Sequence, residues 1–177
     1  MTIDEFLSRM NKGGQAVPLQ RIVELLRELD PDPDALQPFL HFSNQRYQRN
    51  LLFRGPGFEA LLLCFEAGQR TPIHDHHGSA CGVRVLVGEV METGFNSTTD
   101  GWLYATGSAT LPANGVTGSQ DMDIHQLSNL QAGGARLVTL HIYSPSLKKV
   151  GNYSITDNQV VQVTPPVAMP VPDVDHS

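Results

Sequence analysis

The sequence predicts a mainly β protein, a small barrel or sandwich behind an N-terminal helical cap. Three observations carry this. Apolar residues recur at helical spacing in the N-terminal third. From Tyr47 onward, short apolar runs alternate with turn-forming segments. Two histidines one residue apart, His74 and His76, lie between glycines with strand-like flanks. On a strand, positions i and i+2 share a face, so both imidazoles can aim at one point inside a sheet.

The elements follow in order. Ile3-Asp4-Glu5-Phe6-Leu7 with Met10 has helical apolar spacing. Gln20 to Leu29 is clearer, with Ile22, Leu25, Leu26 and Leu29 in one stripe, ended by Pro31 and Pro33. Asp34 to Leu40 suits a short turn or helix. Strands are expected at Tyr47–Phe53, Phe58–Phe65, Val83–Val87, Glu89–Gly94, Ala109–Leu111, Asp123–Leu127 and Ala135–Tyr143. Gly55-Pro56-Gly57, Gly88, Thr99-Asp100-Gly101, Asn114-Gly115 and Gly133-Gly134 supply the turns between them. From Pro165 the chain is proline-rich, expected to be extended or mobile. One domain is expected: a cap over about residues 1–45, a β-barrel over about 46–164 and a tail over about 165–177.

The bulk properties narrow the function. A chain of 177 residues can bury a real core. Its net charge is −6 without any basic block, which argues against nucleic acid and anionic membrane as partners. No apolar run is long enough to span a bilayer, and the N-terminus lacks the pattern of a secretory signal. Two cysteines, Cys64 and Cys81, suit a reducing cytoplasm better than a disulfide scaffold. A small soluble ligand is the expected partner, with no obligatory protein partner.

A two-histidine strand needs further ligands, and His125 lies in another strand-like run, Asp123 to Asn129. Three neutral imidazoles suit Fe(II), Zn, Cu, Ni or Co, so ligand type alone leaves the metal open. Three protein ligands leave open positions, as catalysis requires. His77 falls on the opposite face of a regular strand, and His41 and His176 have no motif around them. Thr139, His141 and Tyr143 alternate along one strand, a polar row where a barrel interior is normally apolar.

The spacing Gly68, five residues, His74-x-His76, four residues, Cys81, six residues, Gly88 resembles the first signature of the cupin superfamily. His125 with Asn129 resembles the end of the second. Cys81 stands where cupins usually have Glu, which points to the thiol dioxygenases and to the cysteine dioxygenase family within them. Tyr47-Gln48-Arg49-Asn50-Leu51, Glu92-Thr93 and Leu140-His141-Ile142-Tyr143-Ser144-Pro145 fit that family in order.

The resemblance implies a cupin barrel holding mononuclear Fe(II) on His74, His76 and His125. It implies that Arg49 binds the substrate carboxylate, with Tyr47 on the same face, ahead of Arg46 and Arg54. It implies a relay through Thr139, His141 and Tyr143, with Thr139 where a comparable member has Ser. Animal-type members join a Cys at the Cys81 position to the active-site Tyr by a thioether, here Cys81 and Tyr143. Gly82 leaves a one-residue ambiguity in that register. Ser144-Pro145 is expected to be cis. The reaction implied is L-cysteine plus O2 giving cysteine sulfinic acid. The alternatives are the same chemistry on 3-mercaptopropionate or another small thiol, a cupin using another metal for other chemistry, and a metal-free cupin.

Overall fold

In this computed structural model, which describes residues 1–11, 13–120 and 123–169, the chain passes from helix to strand where the sequence changes texture. α1 (Ile3–Met10) opens on a capping box: the Thr2 hydroxyl accepts from the Glu5 amide, and the Glu5 carboxylate accepts from the Thr2 amide. α2 (Leu19–Glu28) buries Ile22, Leu25 and Leu26. Pro33 opens the short α3 (Pro33–Leu36), which continues as a 3₁₀ turn over Gln37–Phe39.

Two antiparallel sheets follow. One runs in the order β1 (Gln48–Arg54), β2 (Glu59–Phe65), β9 (Leu137–Ser144), β4 (Ala80–Val87), β7 (Val116–Gln120). The other runs β11 (Val160–Val163), β10 (Val150–Tyr153), β3 (Ile73–His74), β8 (Ile124–Ser128), β5 (Glu89–Ser97), β6 (Leu103–Pro112). The chain crosses from β4 to β5 at Gly88, whose φ of 79° few other residues adopt cheaply.

Alternation along the first sheet feeds two separate cores. Ala60, Leu62, Cys64, Leu140 and Ile142 face the helices; Leu61, Leu63, Phe65, Cys81, Val83, Val85 and Tyr143 face the space between the sheets. β2 and β9 are therefore covered on both faces and buried at every residue, which is why β2 reads as a continuous apolar run.

Small residues let α2 lie close on this sheet. A Cβ on Gly82 would sit 2.4 Å from Ile22 Cγ2, and one on Gly118 would sit 2.9 Å from Val23 Cγ2. The Arg84 guanidinium donates to the Leu26 carbonyl at 2.6 Å, adding to the long 3.4 Å bond that this carbonyl accepts from the Leu29 amide at the end of α2. Gly82→Val should therefore push the helix outward and destabilise the fold by about 1–3 kcal/mol, read as a lower urea midpoint.

The structure departs from the expected elements where the sequence carries no alternation. β6 is expected only at Ala109–Leu111 but begins at Leu103, because nearly all its residues are exposed and none marks an inner face. β7 and β10 have no apolar run to announce them, and β11, though valine-rich, is only four residues long and mostly exposed. The start of the predicted tail is extended, and Ala168 bridges to Asn50. The rest of that tail, 170–177 with His176, lies outside the described residues. Among the described residues no helix is long and apolar enough to cross a membrane. The Ser144-Pro145 peptide is cis.

Candidate active site

His74 ends β3, directly opposite His125 on β8. His76 lies in the turn that follows β3 rather than on a strand, so the expected regular strand is cut short after His74. The alternation survives because Asp75, between the two histidines, is pinned on the other side. Its carboxylate accepts from the Gly151 amide at 2.9 Å and from the Tyr153 hydroxyl at 2.7 Å. His74, His76 and His125 are buried, and their candidate ligand atoms lie within 4.8 Å of one another.

Each ring is oriented by a partner on Nδ1. His74 meets the Pro72 carbonyl at 2.9 Å, His76 the Ser119 hydroxyl at 3.1 Å and His125 the Glu92 carboxylate at 2.6 Å. These partners leave all three Nε2 atoms for the centre. Burial, then the neighbouring His125, pushes the His74 pKa down to about 3 and that of His76 well below its usual value. Both are neutral at pH 7, the form that binds metal. Three Nε2 donors gathered within this distance fit a divalent transition ion with coordination positions to spare.

Arg49 lies beside this cluster on β1. It is 6% exposed, its Nε is buried without a hydrogen-bond partner, and no carboxylate pairs with it among the described residues. Its Cζ lies 5.4 Å from the centre of the Tyr143 ring. Burial pulls its pKa down, but Tyr143, Tyr47 and Glu59 outweigh that, so the guanidinium stays charged. Arg49, Tyr47 and His74 line a cavity of about 590 Å³. Tyr47 also stacks on Phe65, with ring centres 5.0 Å apart. Of the competing arginines, Arg54 pairs with Glu59 at 2.7 Å, and Arg46 is exposed at the cavity's edge.

The polar row on β9 is buried and connected. Thr139 Oγ1 lies 2.9 Å from His141 Nε2, and His141 Nδ1 lies 3.2 Å from the Tyr143 hydroxyl. The imidazole of His141 is neutral because of burial first and the charge of Arg49 second. A neutral ring can donate at either nitrogen, so hydrogens can run from Tyr143 toward Thr139 or the reverse with every partner satisfied. Cys81 on β4 is the cross-strand partner of Tyr143, and its Sγ lies 4.0 Å from His141 Nδ1. Gly82 faces α2, so the inward residue of this pair is Cys81. Burial raises the pKa values of both Cys81 and Tyr143 and keeps them protonated.

Residues 5–156 match cysteine dioxygenase type I. The chain belongs to the cysteine dioxygenase type I family. Family membership makes it an enzyme of the thiol dioxygenase class. Cysteine dioxygenase type 1 of Danio rerio is 26% identical over 151 residues, covering 81% of this chain and 75% of that protein. The protein of the same name from Rattus norvegicus is 29% identical over 137 residues, covering 75% and 68%. Solved structures share the cupin fold at lower identity. A double-stranded β-helix protein of Klebsiella pneumoniae has a TM-score of 0.54 at 13% identity, covering 73% of this chain and 87% of that one. A Thermus thermophilus protein has 0.53 at 19%, covering 63% and 94%.

In this member of the cysteine dioxygenase family, His41 and His77 stand outside the three-histidine group. His77 is exposed, in a turn with φ of 43°. Cys64 faces the helices, contacted by the Asn50 amide at 3.4 Å, and burial pushes its thiol up to about 12. Two partners of the site escape a reading of the sequence. Ser119 sits on β7, which no apolar pattern marks. Glu92 belongs to the matched run Glu92-Thr93 but carries no evident role until its carboxylate meets His125. Its signal is parity, because it shares the inward side of β5 with buried Val90. Glu92→Leu should weaken divalent metal binding about 10–100-fold, and Glu92→Gln, which keeps an acceptor but loses the charge, should fall between. Competition with a chelating dye measures both.

Proposed function

We propose that the protein is a cysteine dioxygenase that holds Fe(II) on His74, His76 and His125 and converts L-cysteine and O2 to cysteine sulfinic acid. The observation that carries this is Arg49, a buried guanidinium with an unpartnered Nε in the cavity that His74 lines. A planar fork of donors matches a carboxylate, and the low-dielectric setting strengthens the pairing. Bound iron would lower the thiol pKa and allow triplet O2 to react with a closed-shell thiolate.

The chain's own residues do the positioning. Arg49 takes the substrate carboxylate while Tyr47 closes the same side. Tyr143 sits between Arg49 and His76, with its ring centre 5.6 Å from that of His76, and donates its hydroxyl hydrogen toward the reacting oxygen. His141 and Thr139 return a hydrogen bond to that hydroxyl and hold its direction. Pre-set contact between substrate and metal face replaces a random encounter. The free, buried cysteines suit a reducing compartment, and a cytoplasmic location is part of this reading.

The cross-strand placement of Cys81 and Tyr143 supports a thioether between them. Its formation joins Cys81 Sγ to a Tyr143 ring carbon, and the two hydrogens lost from the S–H and the ring C–H, with two electrons, reduce one O2 to hydrogen peroxide. The denatured, reduced protein should then weigh about two hydrogens less than its sequence. An unchanged mass after extended turnover rules the bond out.

The function is tested by loading anaerobically purified protein with Fe(II) and following O2 uptake with L-cysteine, the product being identified by mass. Cysteine sulfinic acid at one O2 per thiol is the expected result. Uptake with 3-mercaptopropionate alone would move the reading to that thiol, whose carboxylate Arg49 also fits. No uptake with either would remove it.

A further inference from the structure

The chain beyond residue 156 lies outside the family match, yet part of it closes the cavity. After β11 ends at Val163, Thr164-Pro165-Pro166-Val167-Ala168 crosses to β1. The Ala168 amide donates to the Arg49 carbonyl at 2.8 Å, and the Leu51 amide donates to the Ala168 carbonyl at 2.9 Å. The contact is a single parallel bridge opposite Asn50. β1 is an edge strand, so these bonds occupy backbone groups that the sheet leaves open. The two prolines lack amide hydrogens and have a fixed φ, so the span between anchors is stiff and makes no ladder of its own. Val163 and Val167 pack against the core between the sheets. The whole span lines the cavity together with Arg49 and His74.

We propose that the strap Thr164–Ala168 is a working part of the substrate site: it pins β1 at Arg49 and so sets the enzyme's preference for carboxylate-bearing thiols. The inference rests on the thiol dioxygenase reading. Arg49 makes no side-chain ion pair among the described residues, so its direction depends on its backbone and on Tyr143. The strap holds that backbone at the Arg49 carbonyl itself. The strap's own wall at Pro165, Pro166 and Val167 offers a carboxylate no side-chain donor, and of the three arginines that line the cavity Arg46 and Arg70 are exposed while Arg49 is buried.

The test uses the full chain. Ala168→Pro removes the donor to Arg49, and Ala168→Gly keeps it. A triple variant, Pro165→Gly/Pro166→Gly/Val167→Gly, loosens the span. Binding of L-cysteine to metal-loaded protein is measured by calorimetry without O2. Cysteamine, a thiol amine without a carboxylate, is the control ligand. Ala168→Pro and the triple variant should bind L-cysteine about fivefold more weakly, the loss of about one backbone hydrogen bond, with cysteamine unchanged. Ala168→Gly should match the wild type, and metal content should be equal in all. Hydrogen exchange at the Leu51 amide should speed up in the two weakened variants.

Equal L-cysteine affinity in all variants would overturn the strap's role. So would equal losses for cysteine and cysteamine, which would mean general loosening. Wild-type protein that binds L-cysteine but never oxidises it would remove the dioxygenase reading while leaving the strap measurable. Wild-type protein that binds no L-cysteine would remove both.

Discussion

His125→Ala should leave a folded protein that retains no stoichiometric metal after loading with Fe(II) and desalting, and no O2 uptake. His125 holds the centre from the β8 side, with His74 directly across and His76 Nε2 3.2 Å from its own Nε2. Without it, two imidazoles remain on one segment and the Glu92 carboxylate loses its partner. The change lies on a half-buried strand, so the fold should survive with a cavity-scale loss of about 1–3 kcal/mol. Metal analysis and a thermal melt separate the two effects. Stoichiometric metal in the variant would mean that His125 is not a ligand.

Arg49→Ala should raise KM for L-cysteine about 10–100-fold, the loss of charge-assisted bonds to the carboxylate, while metal content stays the same. The thermal midpoint should hold or rise, because the side chain buries a charge whose Nε has no partner. A structural arginine would behave the other way, with lost stability and unchanged KM. Arg49→Lys should recover little, since a single ammonium does not reproduce the fork. An unchanged KM in Arg49→Ala would remove the assigned role.

Part of the candidate site could be grouped from the sequence, and the reason is geometric. Alternation by two carries a side chain to a known face, so His74 and His76, and Thr139, His141 and Tyr143, could be grouped without coordinates. The same rule identified the stripe of α2 and the continuous run of β2. It fails where neither face is buried, as along β6. It also fails where a strand is recruited late by its neighbours, as with β7 and with it Ser119. Arg49 stood out from Arg46 and Arg54 only through resemblance, because burial and the lack of a partner are properties of packing. The strap was legible as proline-rich chain, but its destination was not. Two backbone hydrogen bonds to an edge strand leave no mark in side-chain pattern.

The opposed orientations of the two cysteines make the protein its own thiol standard. Cys64 is sealed beneath the helices on one face of the first sheet, and Cys81 faces Tyr143 on the other. A sheet separates them, so they have no route to each other in the folded state. A colorimetric count in denaturant should thus return either both thiols or Cys64 alone. If the proposed Cys81–Tyr143 thioether forms, its extent in a preparation is then a fractional stoichiometry between these two values, obtained without a mass spectrometer.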